Sequence, residues 1–132
     1  MNIIFCLDDK NGISFNKRRQ SRDKAVCERI LQIVGLKTLR MSEESAKIFE
    51  SSGITAEEDF LENAKKGDYC FAENDKFIDF LDKVEKVIIY RWNRVYPSDV
   101  KINTDFLKTK KLISTIDFEG NSHQKITEEI YE

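Results

Sequence analysis

Two short apolar runs constrain the fold of this chain more than any other feature of its sequence. Val87, Ile88 and Ile89 follow one another without a polar residue, and residues 2–7 are nearly as apolar. Runs of this length are typical of strands, and an unbroken run indicates a strand that is covered on both faces. The sequence therefore predicts a sheet with a buried centre.

Helical patterns lie between these runs. Val26, Ile30, Ile33 and Val34 recur at helical spacing and predict an amphipathic helix over residues 23–34, ending near Gly35. A short strand is expected over residues 38–41, and Ser42 can cap a second helix. Thr55 and Glu58 have the spacing of a capping box and predict a further helix that carries Phe60 and Leu61.

The last part of the chain has a strand pattern. Leu112, Ser114, Ile116 and Phe118 alternate with more polar neighbours, as expected for a strand near the edge of a sheet. Gly120 and Asn121 then predict a turn into a final strand. Together these elements predict a three-layer α/β domain with a mixed central sheet.

Composition limits the classes of function. The 132 residues are 40% hydrophobic, which suits one compact domain over residues 1–132. The net charge of -2 provides no strong overall field for nucleic acids or membranes. We expect no membrane partner and a cytoplasmic location, because the longest apolar runs are strand-sized and no signal peptide is recognisable. The three cysteines, Cys6, Cys27 and Cys70, lie in apolar contexts and are expected to be reduced and buried.

Four segments carry a resemblance to a known family. Residues 77–92 have the pattern of a short helix, a turn and a buried strand. Residues 2–13 have the pattern of a strand that leads into Asn-Gly-Ile and then a polar loop, and residues 39–45 that of a strand followed by a helix. Residues 116–130 have the pattern of a closing pair of strands. In this order they resemble dihydrofolate reductase. The resemblance implies a dihydrofolate reductase-like fold, and the short segment between Glu50 and Tyr69 implies a shortened cofactor side.

The cofactor site departs from this resemblance. Ala72 and Glu73 stand where the reductases have two glycines that let the backbone approach the cofactor pyrophosphate. A methyl group and a carboxylate there would crowd and repel phosphate. Residues 40–45 also lack the sequence pattern that, in the reductases, binds the other phosphate group of the nucleotide. The sequence thus predicts that NADPH binding is lost and that no cofactor is used.

The densest charge cluster provides candidate ligand-binding residues. Residues 17–24 contain five basic side chains and, within the resemblance, fall on the loop that closes over substrate. Arg18, Arg19 and Arg22 could bind an anionic ligand or an RNA backbone, because guanidinium groups match phosphates and carboxylates. The alternative is a solvated loop that pairs with nearby acids.

Asp23 also has two interpretations. The resemblance implies an acidic residue near the start of the first helix that binds the pterin ring of the substrate. The alternative is a helix N-cap, for which aspartate is among the preferred residues.

A second candidate surface lies in residues 90–96. Tyr90 and Trp92 are expected in the core, whereas Arg91, Arg94 and Tyr96 are candidates for an interaction surface. His123 is the only histidine, so no metal cluster of several histidines can form in one chain, and its neighbours predict a surface position. No metal site is predicted.

The sequence is also similar to small clostridial-type proteins that often carry a ribonuclease Z label, through residues 16–23 and 90–97. That label implies a two-zinc fold, for which this chain lacks both the length and the histidines. The similarity is still a reason to consider RNA as a partner. The leading hypothesis is a binding or regulatory protein, without reductase activity, for a small planar or anionic ligand. The alternatives are an RNA-binding or RNA-processing protein that uses the basic loop 17–24, and a residual enzyme on a pterin-like or nucleotide substrate.

Overall fold

The structure is a computed structural model that describes residues 1–132. Its main sheet has seven strands, in the order β5 (Ile54–Ala56), β4 (Leu39–Met41), β6 (Tyr69–Phe71), β1 (Asn2–Leu7), β7 (Lys86–Arg91), β10 (Ile126–Tyr131) and β9 (Leu112–Phe118). Strands β5, β4, β6, β1 and β7 are parallel, whereas β10 is antiparallel to both β7 and β9, so the sheet is mixed as predicted.

A second, small sheet lies beside the first. It has the order β3-β2-β8, with β2 (Gly12–Phe15), β3 (Arg18–Arg19) and β8 (Val100–Lys101). Asn16 and Lys17 connect β2 to β3 and both have positive φ, 50° and 62°, which suits a tight hairpin turn. The basic segment predicted as a loop is therefore partly a β-hairpin, because this turn pairs Phe15 with Arg18.

Helices cover both faces of the main sheet. Helix α1 (Lys24–Val34) packs Val26, Cys27 and Ile30 on one face. The other face is covered by α3 (Phe60–Asn63) and a 3₁₀ helix (Asp75–Lys83), through Phe60, Leu61 and Phe77. Two short helices complete the fold, α2 (Glu43–Ala46) and a 3₁₀ helix (Thr104–Thr109). The structure thus has the predicted three layers.

Two hydrophobic cores follow from alternation along the central strands. Ile3 and Phe5 point into one core, and Ile4 points into the other. Val87, Ile88 and Ile89 are fully buried in β7, as the apolar run predicted. The strands β1 and β7 are adjacent, so the two apolar runs form the centre of the sheet.

Several boundaries agree with the sequence predictions and one helix start does not. α1 begins after Asp23 and ends at Gly35, whose φ of 58° suits glycine. β9 is an edge strand of the main sheet, as its alternation predicted. The predicted capping box is wrong: Thr55 lies in β5, and α3 begins after Asp59, which makes no side-chain capping bond. Strand pairing with β4 overrides the local signal of Thr55.

Candidate functional site

The main cleft lies where the parallel strands β4 and β6 end. Its volume is about 1250 Å³, and it separates the β2–β3 hairpin from the residues that follow the two strands. Carboxyl ends of parallel strands meet at one edge of a sheet and commonly form ligand sites. The cleft is lined by Ser14, Lys17, Arg18, Arg19, Ser42, Glu44, Ser45, Glu73, Asn74, Asp75, Lys76, Asp99 and Val100.

An ion pair joins the hairpin to the end of β6. Arg19 donates to both carboxylate oxygens of Glu73, through Nε at 2.7 Å and Nη2 at 3.0 Å, and its Nη2 also donates to the Glu44 carbonyl. The Ser45 hydroxyl donates to Glu73 Oε1 at 2.7 Å. The hydrogen bond with Glu73 raises the pKa of Arg19 above its usual value. The charge of Glu73 is therefore neutralised by the hairpin.

A small cavity lies behind this ion pair. It has a volume of about 10 Å³, and Arg19 and Glu73 line both the cavity and the cleft. A space of this size holds about one water molecule. Gln20 also lines it, and the Oε1 atom of Gln20 is buried and accepts no hydrogen bond. The amide is oriented by its Nε2 group, which lies 3.1 Å from Asp8 Oδ2 and 3.3 Å from the Pro97 carbonyl.

The charges in the cleft are partly paired. Lys17, Arg18 and Lys76 line the cleft and make no ion pair, whereas Arg19 is paired with Glu73. Arg22 is exposed and does not line the cleft. The structure thus brings Arg18 and Arg19 together at the cleft and leaves Arg22 outside it.

Asp23 caps α1 and joins it to the β9–β10 turn. Its Oδ1 accepts from Ala25 N and Asn121 N, both at 2.8 Å, and its Oδ2 accepts from Ser122 N at 2.8 Å. Burial opposes ionisation, but these bonds and one from His123 outweigh it and lower the pKa of Asp23 to about 2. The N-cap alternative is confirmed. Ligand binding by Asp23 stays a prediction, and because the residue is 2% exposed, a ligand would have to displace protein groups.

The predicted surface position of His123 is wrong. The residue is 7% exposed, its Nδ1 lies 2.8 Å from Asp23 Oδ2, and its ring stacks on Trp92 with centroids 4.5 Å apart. Its Nε2 lies 2.8 Å from the Tyr96 hydroxyl and 3.2 Å from Ser21 Oγ. The partners come from segments distant in sequence, so local composition gives no signal for this cluster.

The second candidate surface is partly occupied by internal contacts. Arg91 pairs with Glu129 at 3.0 Å and donates to Asn11, and the guanidinium of Arg94 lies 5.3 Å from the ring centre of Tyr96. Tyr90 and Trp92 are buried, as predicted. A role for Arg91, Arg94 and Tyr96 in partner binding stays a prediction.

Three further properties bear on function. No group of three or more metal-ligating side chains comes together in residues 1–132. The helices are all too short or too polar to span a bilayer. The cysteines are free thiols: Cys27 and Cys70 are buried as predicted, and Cys6 is half-buried.

The fold defines the class of protein that this chain resembles. Comparisons with protein-family models and with curated proteins find no match. Among solved structures, the chain is similar to the dihydrofolate reductase from Enterococcus faecalis complexed with NADP(H) and RAB-propyl, with a TM-score of 0.69 and 9% identity. The similarity covers 99% of this chain and 94% of that chain. The chain therefore has a dihydrofolate reductase-like fold, as the sequence predicted, and the resemblance to proteins labelled ribonuclease Z stays a prediction.

Proposed function

We propose that this chain is a ligand-binding or regulatory protein on a dihydrofolate reductase-like fold, that it has lost the NADPH site, and that it binds a small anionic ligand in the 1250 Å³ cleft. The observation that carries the proposal is the position of Glu73. Its carboxylate lies at the end of β6, held by Arg19 and Ser45, where the resemblance implies bare glycine backbone.

Two features beside Glu73 support the loss of NADPH. Ala72 is 2% exposed, so its methyl group is packed at a position where the resemblance implies glycine. Asn74 caps the following 3₁₀ helix, and its side chain accepts from Lys76 N at 3.0 Å. A backbone N–H that could have bound a phosphate therefore already has an acceptor.

The cleft favours an anionic ligand over a planar apolar one. Val100 is its only hydrophobic lining residue, whereas sites for flat heterocycles are lined mainly by apolar side chains. Lys17, Arg18 and Lys76 provide cationic groups without an internal partner. Asp75 and Asp99 also line the cleft and limit the total charge that a ligand can carry.

The test uses two exposed arginines of the same segment as a matched pair. Arg18 lines the cleft and Arg22 does not. With inorganic phosphate as the probe, titration calorimetry should show binding that weakens about tenfold in Arg18→Ala, because a charge-assisted hydrogen bond is lost. Arg22→Ala should bind like the wild type. Absence of phosphate binding, or equal loss in both variants, would contradict the cleft as an anion site.

RNA binding is the second candidate, because Lys17, Arg18 and Arg22 are exposed within one short segment. An RNA backbone would contact these groups together and release counterions, so its affinity would fall steeply with salt. Filter retention of a single-stranded RNA over a salt series separates the two functions. Steep salt dependence with equal losses in Arg18→Ala and Arg22→Ala would favour RNA over the small ligand.

A further inference from the structure

Ser21, His123 and Asp23 form a chain of contacts with the geometry of a nucleophile, a base and an orienting acid. Ser21 Oγ lies 3.2 Å from His123 Nε2, and His123 Nδ1 lies 2.8 Å from Asp23 Oδ2. The two ring nitrogens thus face opposite partners. Such an arrangement is recognised by its geometry and roles, independently of fold and of residue order in the chain.

The imidazole is held in one orientation. Asp23 is fixed by backbone donors from Ala25, Asn121 and Ser122, and the His123 ring stacks on Trp92 at an interplanar angle of 21°. Because an ionised Asp23 only accepts hydrogen bonds, the neutral ring carries its proton on Nδ1. The lone pair of Nε2 is therefore directed to the side where Ser21 lies.

Tyr96 competes with Ser21 for the same nitrogen. Its hydroxyl lies 2.8 Å from Nε2, closer than Ser21 Oγ at 3.2 Å. One lone pair accepts one strong hydrogen bond, so the tyrosine reduces the fraction of time that Nε2 can take a proton from Ser21. Removal of the Tyr96 hydroxyl should therefore activate Ser21, which a purely structural cluster would not do.

Ser21 lies beside a small cavity that borders the cleft. Ser21 lines the 10 Å³ cavity together with Arg19 and Gln20. The Oε1 atom of Gln20 has no hydrogen-bond partner, and a water molecule in the cavity would satisfy it. An acyl group would reach Ser21 from the cleft when the Arg19–Glu73 pair, which lines both spaces, moves aside.

We infer that Ser21 is a nucleophile for small esters, that His123 is its general base, and that Asp23 is a positioning residue. Ser21 Oγ attacks the ester carbonyl, its proton passes to Nε2, and the carbon–oxygen bond to the alcohol breaks as the alcohol takes this proton. Water then attacks the carbonyl of the acyl-serine and gives a proton to Nε2; the bond from the acyl carbon to Ser21 Oγ breaks, Nε2 returns the proton to Oγ, and the carboxylic acid is released. The net reaction converts an ester and water into an acid and an alcohol and restores Ser21.

The experiment uses 4-nitrophenyl acetate as the probe on the full chain. Release of nitrophenol should be accompanied by an acetyl adduct on Ser21, located by peptide mass spectrometry. Ser21→Ala should abolish the adduct, while Ser52→Ala, the control at an exposed serine outside the cluster, should keep it. Tyr96→Phe should raise the acylation rate several-fold.

A further pair of measurements tests the role of Asp23. Asp23→Asn should lower the acylation rate at least about a hundredfold and change the pH profile of the reaction, because the charged imidazole loses its carboxylate partner. If Asp23→Asn is folded, as verified by circular dichroism, and its pH profile is unchanged, the positioning role of Asp23 is overturned. Absence of a Ser21 adduct in both the wild type and Tyr96→Phe, or adducts only on lysines, would overturn the whole proposal.

Discussion

Replacement of Asp23 by asparagine should destabilise the fold in a pH-dependent way. The pKa of Asp23 falls from 3.8 to about 2 in the folded protein, because hydrogen bonds from Asn121, His123, Ser122 and Ala25 outweigh the burial of the carboxylate. One pKa unit corresponds to about 1.4 kcal/mol, so ionised Asp23 stabilises the fold by about 2 kcal/mol at pH 5 and above. This contribution is lost as the pH falls through the folded-state pKa.

Urea unfolding of the wild type and Asp23→Asn at pH 5 and pH 2.5 measures this effect. The difference in unfolding free energy between the two proteins should shrink by more than about 1 kcal/mol at the lower pH. A pH-independent part should remain, because both oxygens of Asp23 accept backbone N–H bonds and an amide places its NH₂ group against some of these donors. An equal difference at both pH values would refute the lowered pKa as the source of stability.

Three further predictions concern other parts of the fold. Arg29→Met should cost about 2 kcal/mol or more in urea unfolding, because Glu128 is 1% exposed and would lose its ion pair; Arg29→Met combined with Glu128→Gln should recover part of it, and no recovery would contradict a charge effect. Gly120→Ala should cost about 1–3 kcal/mol, since a Cβ there would lie 2.7 Å from Asp23 Oδ2, while Gly53→Ala, with its nearest atom at 3.7 Å, serves as the neutral control. Burial raises the pKa of the Cys27 and Cys70 thiols to about 11, so thiol reagents should label them slowly in native buffer at pH 8 and rapidly in denaturant; fast native labelling would argue against the proposed cores.

The sequence predicts those elements whose signal is local. The apolar run of β7 and the helical spacing of α1 each lie within one segment, and the structure confirms both. The capping pattern at Thr55 was also local but wrong, because pairing of β5 with β4 requires an extended backbone at that residue. Local patterns therefore predict the layers better than the short connecting helices.

The candidate site depends on contacts between distant segments. Arg19 and Glu73 are 54 positions apart, and Asp23 and His123 are 100 positions apart. Arg19, Glu73 and Asp23 can each be identified from the sequence. From the sequence, however, Glu73 is expected to be a free charge that repels phosphate, and His123 is expected at the surface. Neither pairing has a signal in spacing or composition, because strand order rather than sequence neighbourhood brings these side chains together.

A titration with NADPH, followed by the fluorescence of the nucleotide, tests the central claim most directly. Ala72 and Glu73 occupy the end of β6, and the carboxylate is held in place by Arg19 and Ser45. We expect no saturable binding at micromolar NADPH, because the packed Ala72 methyl group and the Glu73 side chain, held by Arg19 and Ser45, keep a pyrophosphate from approaching the backbone closely. Saturable binding at micromolar NADPH would contradict the account of a reductase fold without its cofactor.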